Sequence, residues 1–304
     1  MVSSSSARLF GPAAGLLVDR FVPEPPSTVH PVALFGRVMT AIEKRLWRDS
    51  VGAGAVYAAL GVIVSAVSGW LVRSTTVATA TVVAGPQLRR ISGDIANLLE
   101  QGDLEGARDQ LPALVGRDPA GLDESAISAA VVESLAENTV DAVVAPVCWA
   151  VVGGAGGAFV YRALNTMDAM VGNRSVRYHR FGRVSARLDD VVNFVPARVT
   201  AVLIAASVPH RWKQVRMAVG RDAASHPSPN AGVAESAMAA ALGVELGGRL
   251  SYEGRVEQRP CLGVGPRPVH HDIRRAIVVA RRTETLLASG LAVVGLLRIR
   301  RWTR

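Results

Sequence analysis

The sequence predicts an all-α, polytopic integral membrane protein with polar helical loops, and three observations carry that reading. Its 304 residues are 49% hydrophobic and only 5% aromatic, with a mean hydropathy of +0.26, which is too apolar and too poor in rings for an ordinary soluble domain. The run Val51 to Val72 contains no charge and has the length of roughly 20 residues that a helix needs to cross a hydrocarbon core. Further apolar runs occupy 142–161, 191–209 and 285–297, the 191–209 run interrupted only by Arg198. The whole chain, 1–304, reads as a single membrane-embedded domain.

The elements follow in order. A helix is expected over 7–22; its apolar core, Leu9 to Val18, is short for a signal peptide, leads into Asp19-Arg20 and lacks a small-residue cleavage site, so a retained membrane-associated helix is expected. The prolines of Val22-Pro23-Glu24-Pro25-Pro26 exclude helix, which resumes near Val32. After the first span, Thr75 to Ala84 suits either a membrane-inserted or a buried helix. Leu88, Ile91, Ile95, Leu98, Leu99, Leu104, Ala107, Leu111 and Leu114 recur at helical spacing around Gln101-Gly102-Asp103, which predicts a polar helical hairpin over 88–117. No second copy follows at a fixed period, so it reads as a soluble cap rather than a repeat array. Residues 210–284 form a long polar region with one apolar patch, Val233 to Gly243. The last run, 285–297, is short and spans only if Glu284 or Arg298 snorkels.

The net charge of +9 does not point to nucleic acid, because 32 of the 34 basic residues are Arg and they are scattered among loops. Membrane orientation accounts for them. Arg298, Arg300, Arg301 and Arg304 crowd the C-terminus and place it in the cytoplasm by the positive-inside rule. Cys148 and Cys261 offer neither a disulfide framework nor metal-ligand spacing. The phosphate-loop, dinucleotide and nucleophile-elbow motifs are absent.

Four clusters carry candidate chemistry. Glu133, Glu137 and Asp141 stand four apart, so one helix face holds three mutually repelling carboxylates unless Mg²⁺, an Arg or a cationic substrate sits among them. Asn165-Thr166-Met167-Asp168-Ala169 echoes Asn138-Thr139-Val140-Asp141-Ala142, and between the copies lies Gly153-Gly154-Ala155-Gly156-Gly157. Two arrangements satisfy these glycines: a re-entrant hairpin that returns both motifs to one membrane face, or a plain span in which glycine allows close helix packing. Cysteine accessibility near Asn138 and Asn165 separates them.

The third cluster is Arg183, Arg187, Asp189, Asp190, Asn193 and Arg198, where paired acids suit Mg²⁺ and arginines suit phosphate or carboxylate. In the fourth, His226-Pro-Ser-Pro-Asn230-Ala-Gly232 precedes Glu235, and two prolines stiffen the turn that presents them.

Five ordered stretches carry a family resemblance: HPVALFGR at 30–37, ESLAENTVDAVVAP at 133–146, YRALNTMDAMVGNR at 161–174, FGRVSARLDDVVNFVPAR at 181–198 and HPSPNAGVAESAMAAALGV at 226–244. The chain resembles the adenosylcobinamide-phosphate synthase family, the CobD/CbiB membrane proteins of cobalamin biosynthesis. That resemblance implies an amide-forming ligase of the cell (inner) membrane that uses ATP and Mg²⁺. It would join aminopropanol or its phosphate to the propionate of the corrinoid adenosylcobyric acid, in a lipid bilayer and beside other cobalamin-biosynthesis proteins.

On the same implication, Glu133, Glu137, Asn138, Asp141, Asn165 and Asp168 are the catalytic candidates and Asp189 and Asp190 the Mg²⁺ candidates, with Glu133, Glu137 and Asp141 an alternative metal set. Arg187, Asn193, Arg198, His226, Asn230 and Glu235 are the substrate-binding candidates. The family's Gly-Asp-Pro ahead of His-Pro-Val is replaced by Pro23-Glu24-Pro25, so Glu24 stands where that acid would be. The competing reading is a non-catalytic sensor or transporter of the same architecture. A transporter calls for paired broken spans and a polar midplane pathway, whereas these polar residues gather at span ends and loops.

Overall fold

A computed structural model describes residues 4–22, 24–116, 118–173, 175–252 and 255–302. Pro23, Arg117, Arg174 and Arg304 lie outside the described residues, as does the side chain of Arg301. In chain order the elements are α1 (Ser4–Phe21), α2 (Pro31–Leu46), α3 (Val51–Val72), α4 (Thr75–Val82), α5 (Gly85–Glu100), α6 (Leu104–Gln110), α7 (Glu124–Thr139), α8 (Ala145–Val171), α9 (Arg183–Ser207), α10 (Trp212–Asp222), α11 (Ala231–Leu242), β1 (Glu245–Tyr252), β2 (Arg255–Gly263) and α12 (His270–Trp302). This is an all-α membrane protein that carries a short β-hairpin.

Among the described residues three helical stretches are long and apolar enough to cross a membrane: Val51–Val72, Glu124–Val171 and Arg183–Ser207. The expected run at 285–297 is not among them; it lies inside α12, where Arg281, Arg282, Glu284, Arg298 and Arg300 bracket it.

The residues pack as two compact units. The first comprises Met1–Ala84, Asp141–Asn193 and Leu287–Arg304, the second Gly85–Val140 and Phe194–Leu286.

In the first unit, α2 begins where His30 caps it: Nδ1 accepts from the Val32 N–H at 3.3 Å and Pro31 supplies a helical φ at a position that needs no donor. Its core gathers Met39, Tyr57, Leu164, Met167, Val171 and Phe181. Small residues let α3 and α8 meet backbone to backbone, since a Cβ on Gly69 would collide with Gly156 and one on Gly61 with the Met167 thioether. The short helix α4 buries Ala78, Thr79 and Val82, packing Ala78 and Val82 against Ala150, Ala155 and Ala158 of α8.

The decisive feature of this unit is Gly154, whose φ of +63° and ψ of −147° break α8. A continuous helix would separate Asp141 from Tyr161 by about 30 Å, at about 1.5 Å per residue. Instead the Tyr161 hydroxyl donates to the Asp141 carbonyl at 3.2 Å. The returning arm crosses the outgoing one where Gly157 meets the Trp149 carbonyl so closely that a Cβ would not fit. Of the two arrangements the glycines allow, the chain adopts the one that folds back, so 142–161 is not one straight span.

In the second unit, α5 and α6 form a helical pair turned by Gly102 at φ +78° and capped by Asp103, which accepts from the Gly106 N–H at 2.9 Å. Helices α7 and α11 are buried on nearly every side, as expected of helices apolar around their circumference. Gly243, left-handed at φ +76°, ends α11. The β-hairpin falls in the region read as polar and irregular. Its strands pair antiparallel with a bulge between Leu246 and Gly248, and Gly247 and Gly248 take the positive φ values that the bulge requires.

Candidate active site

The candidate residues fall into two groups, one in each unit. In the first unit the fold-back at Gly154 brings Asp141, from the first Asn-Thr-x-Asp-Ala motif, to Asn165 of the second. The Asn165 amide nitrogen donates to Asp141 Oδ2 at 3.1 Å and to Asp189 Oδ1 at 3.4 Å, so one NH₂ group ties two carboxylates. Asn193 fixes the other Asp189 oxygen, its Nδ2 donating to Oδ2 at 3.0 Å. The Tyr161 hydroxyl, whose single proton is shared between the Asp141 carbonyl and Asn193 Oδ1 at 2.9 Å, meets the oxygen end of that amide, and the Asp189 carboxylate, which only accepts, takes the NH₂ end. Arg162 donates to Asn165 Oδ1 at 3.3 Å and fixes that amide in the same way.

Asp168 and Asp190 complete the cluster, Asp168 lying within electrostatic reach of both Asp189 and Asp190. Arg187 is exposed and stands apart from this network. Glu24, on the loop ahead of α2, lies in the fields of His30 and Arg162, and burial pushes its carboxyl above the usual range. Tyr161 and Arg162 were absent from the sequence-derived candidates. Their signal is positional: Tyr161, Asn165 and Asp168 occur at helical spacing and share a face.

In the second unit, Glu133 is buried and Oε1 accepts from the Gly247 N–H at 2.9 Å, a donor that the β-bulge presents. Glu137 and Glu235 hydrogen-bond through their carboxyls. Glu235 is almost wholly buried, and that burial, with Glu137 and Glu133 beside it, holds its carboxyl well above the usual range. Like charges about 4 Å apart repel by about 4 kcal/mol at an effective dielectric of about 20, so such a group keeps its proton. Burial lowers the His226 pKa and keeps the ring neutral. Its Nδ1 accepts from the Ser228 N–H at 3.1 Å.

Arg198, the charge within the apolar run, is accommodated locally. It donates to the Phe194 carbonyl at 2.8 Å and to Asn230 Oδ1 at 3.2 Å, and its guanidinium lies 3.5 Å from the Phe194 ring centroid. Asn138 differs from expectation. Its amide turns back on its own helix, donating to the Ser134 carbonyl and hydroxyl, and takes no part in an acid network. The expected stripe of Glu133, Glu137 and Asp141 is also interrupted: α7 ends at Thr139, and Asp141 belongs to a π-helical turn, Val140–Val144, and to the other unit. The wider turn breaks the spacing of four on which the stripe depends. Arg259, in the field of Glu235 and His226, had no sequence signal, because it lies on the strand pair the reading missed.

An all-helical membrane protein with a carboxylate–carboxamide cluster beside its apolar helices is the class that fold and geometry define. Comparison with known proteins places it further. A family model described as CobD/Cbib protein matches residues 12–280. A protein of Mycobacterium tuberculosis (strain ATCC 25618 / H37Rv), "Cobalamin biosynthesis protein CobD", is 43% identical over 98% of each chain. Proteins of the same name are 40% identical in Rhodobacter capsulatus, over 89% of this chain and 90% of that one, and 37% identical in Chromobacterium violaceum, over 93% and 95%. No solved structure matches. The chain belongs to the CobD/CbiB family.

Proposed function

We propose that this chain acts in cobalamin biosynthesis as a multi-pass enzyme of the cell (inner) membrane. It forms the amide between the propionate of adenosylcobyric acid and aminopropanol or its phosphate, using ATP and Mg²⁺ and giving adenosylcobinamide or its phosphate. Family membership supports the reaction class. The observation that carries the site is the Asp141–Asn165–Asp189 bridge.

A carboxylate resists attack by an amine until one oxygen becomes a leaving group, which phosphoryl transfer from ATP provides. Such a site needs fixed carboxylates near the phosphates and little freedom in its own parts. The Tyr161–Asn193–Asp189 chain and the Arg162–Asn165 contact supply that rigidity. Mg²⁺ is held by one or two carboxylates with water and substrate phosphate rather than by a closed protein cage. The residues fit that mode: among the described residues no three acids, histidines or cysteines converge as a metal site, yet Asp141 and Asp189 are tied together with Asp190 adjacent. Asp189 and Asp190 would hold the ion, which when bound neutralises phosphate charge.

The test is amide formation by the purified protein from adenosylcobyric acid, aminopropanol or its phosphate, ATP and Mg²⁺, followed by mass spectrometry. Product that disappears in Asp190→Ala and Glu137→Ala supports the reading. Binding or movement of a corrinoid without amide product, under every acceptor and nucleotide tried, refutes it and leaves the sensor or transporter.

A further inference from the structure

Positive charge gathers at the α2–α3 turn from two distant parts of the chain. Lys44 and Arg45 lie in the last turn of α2, where a helix dipole favours cations, but Arg48 follows them, and all three are exposed without an acid partner among the described residues. The segment 175–182 adds Arg177 and Arg180, both exposed, to the same edge. Buried Glu43 anchors that segment, accepting from the Tyr178 hydroxyl at 2.8 Å and from Arg177 Nη2 at 3.1 Å. Phe181 packs on Tyr57 with ring centroids 5.2 Å apart. Arg180 lies 3.8 Å from Asp49, the exposed acid of the turn. The edge therefore holds a surplus of cations that the fold itself does not neutralise.

Aromatic and apolar groups continue the same edge. Trp47, 36% exposed, donates its indole N–H to the Arg177 carbonyl at 3.3 Å, and the Arg177 guanidinium lies 4.7 Å from the Trp47 ring centroid. Three residues beyond Arg48, α3 begins at Val51 and carries no charge as far as Val72. Val56, Ile63 and Val67 of that helix are each more than half exposed. Cations, an exposed indole and an uncharged helix face thus succeed one another, which is the order of head groups, interface and acyl chains at a bilayer boundary. A soluble phosphate calls for donors that converge on one point, whereas these bases are spread along a helix end and a loop.

We propose that the end of α2, the α2–α3 turn and the segment 175–182 form a docking surface for anionic lipid head groups. Lys44, Arg45 and Arg48 meet the phosphates, Arg177 and Arg180 extend the charge along the edge, and Trp47 sits at the level between head groups and acyl chains. Each base beside a negatively charged leaflet strengthens binding by about fivefold. Three of them distinguish an anionic from a zwitterionic lipid by about tenfold to a hundredfold. This assignment is independent of the reaction proposed above.

The experiment is native mass spectrometry of the full chain with phosphatidylglycerol or phosphatidylcholine of matched acyl chains, together with thermal unfolding in nanodiscs of each lipid. The parent is expected to retain phosphatidylglycerol the more tightly by that factor, and its extra thermal stability in phosphatidylglycerol should shrink as salt rises. Lys44→Gln/Arg45→Gln/Arg48→Gln should abolish the preference. Lys213→Gln/Arg216→Gln, which neutralises two exposed bases of α10, should leave it intact.

Equal retention of the two lipids by the parent overturns the proposal without any variant. So does an unchanged preference in a triple variant whose elution and thermal unfolding match the parent. If the triple variant does not fold, Arg48→Gln alone decides in the same way, with an expected loss of about fivefold. Calorimetric binding of inorganic phosphate that the triple variant loses, with no lipid preference in the parent, gives the surface to a soluble phosphate and overturns the lipid assignment.

Discussion

Gly154 is the residue on which the first unit's cluster depends, and Gly154→Ala isolates its contribution. Its φ of +63° with ψ of −147° is a conformation open almost only to glycine. Space is not the obstacle, because a Cβ there would meet nothing nearer than Thr75 Oγ1 at 3.7 Å, an ordinary contact. The penalty is therefore conformational, about 1–3 kcal/mol. Gly153 is the matched control: it has ordinary helical geometry, and a Cβ added there would meet nothing within 4 Å, so Gly153→Ala should be neutral or slightly stabilising through the better helix propensity of alanine. Equilibrium unfolding of both variants in mixed micelles gives the difference directly. If Gly154 relaxes toward helix, the Asn165–Asp141 bond is lost with it, and cysteines placed near 141 and 165 should cease to cross-link. Equal stability of the two variants, with cross-linking retained in Gly154→Ala, would show that the reversal does not require glycine.

Asn165→Leu should lower amide formation by about tenfold or more with little change in fold, because it frees two like-charged carboxylates from their shared donor; Asn193→Leu should resemble it in a product assay. Glu133→Leu should destabilise the protein by about 1–3 kcal/mol relative to Glu133→Gln in denaturant unfolding, since only the leucine strands the buried Gly247 N–H. Glu235 has a raised pKa, so its contribution to stability is complete below the ordinary glutamate value of about 4.3 and is lost as pH rises through the folded pKa; melting profiles of Glu235→Gln should lack that decline. His226 has a lowered pKa, so its contribution is present above about 6.5 and is lost as pH falls through the folded value; His226→Phe should remove that acid-side loss.

Helical content was legible because apolar residues recur at helical spacing along the chain. The residues around Gly102 mark a turn by composition alone, and the structure places a turn there, Gly102 taking a φ of +78°. The reversal at Gly154 was legible only as a pair of options, since glycine permits a break without demanding one, and long-range pairing selects it: Asn165 must find Asp141, 24 residues away. The β-hairpin escaped because its strands carry glycines at the bulge and a proline, Pro260, which weaken an alternating pattern. Among candidate residues, Asp141, Asn165, Asp189 and Asn193 were found by composition beside apolar runs. Their grouping was legible only in part: Asp189 and Asn193 fell in one cluster and the fold-back was one of two options for joining the motifs of Asp141 and Asn165, but a sequence does not state that the helix carrying Asp189 meets Asn165. Asn138 shows the limit from the other side, being identical in motif to Asn165 and yet bonded to its own turn.

Arg198 has a consequence for biogenesis. An arginine at the centre of an inserting helix costs about 2.5–3.5 kcal/mol, and the side-chain oxygen that receives it, on Asn230, lies 32 residues downstream. While the ribosome is still adding that stretch, α9 carries its cation with only the Phe194 ring and carbonyl for company. Secure retention of α9 in the bilayer thus waits for the segment leading into α11, and a nascent chain truncated before Asn230 should slip from the membrane more readily than one truncated after it.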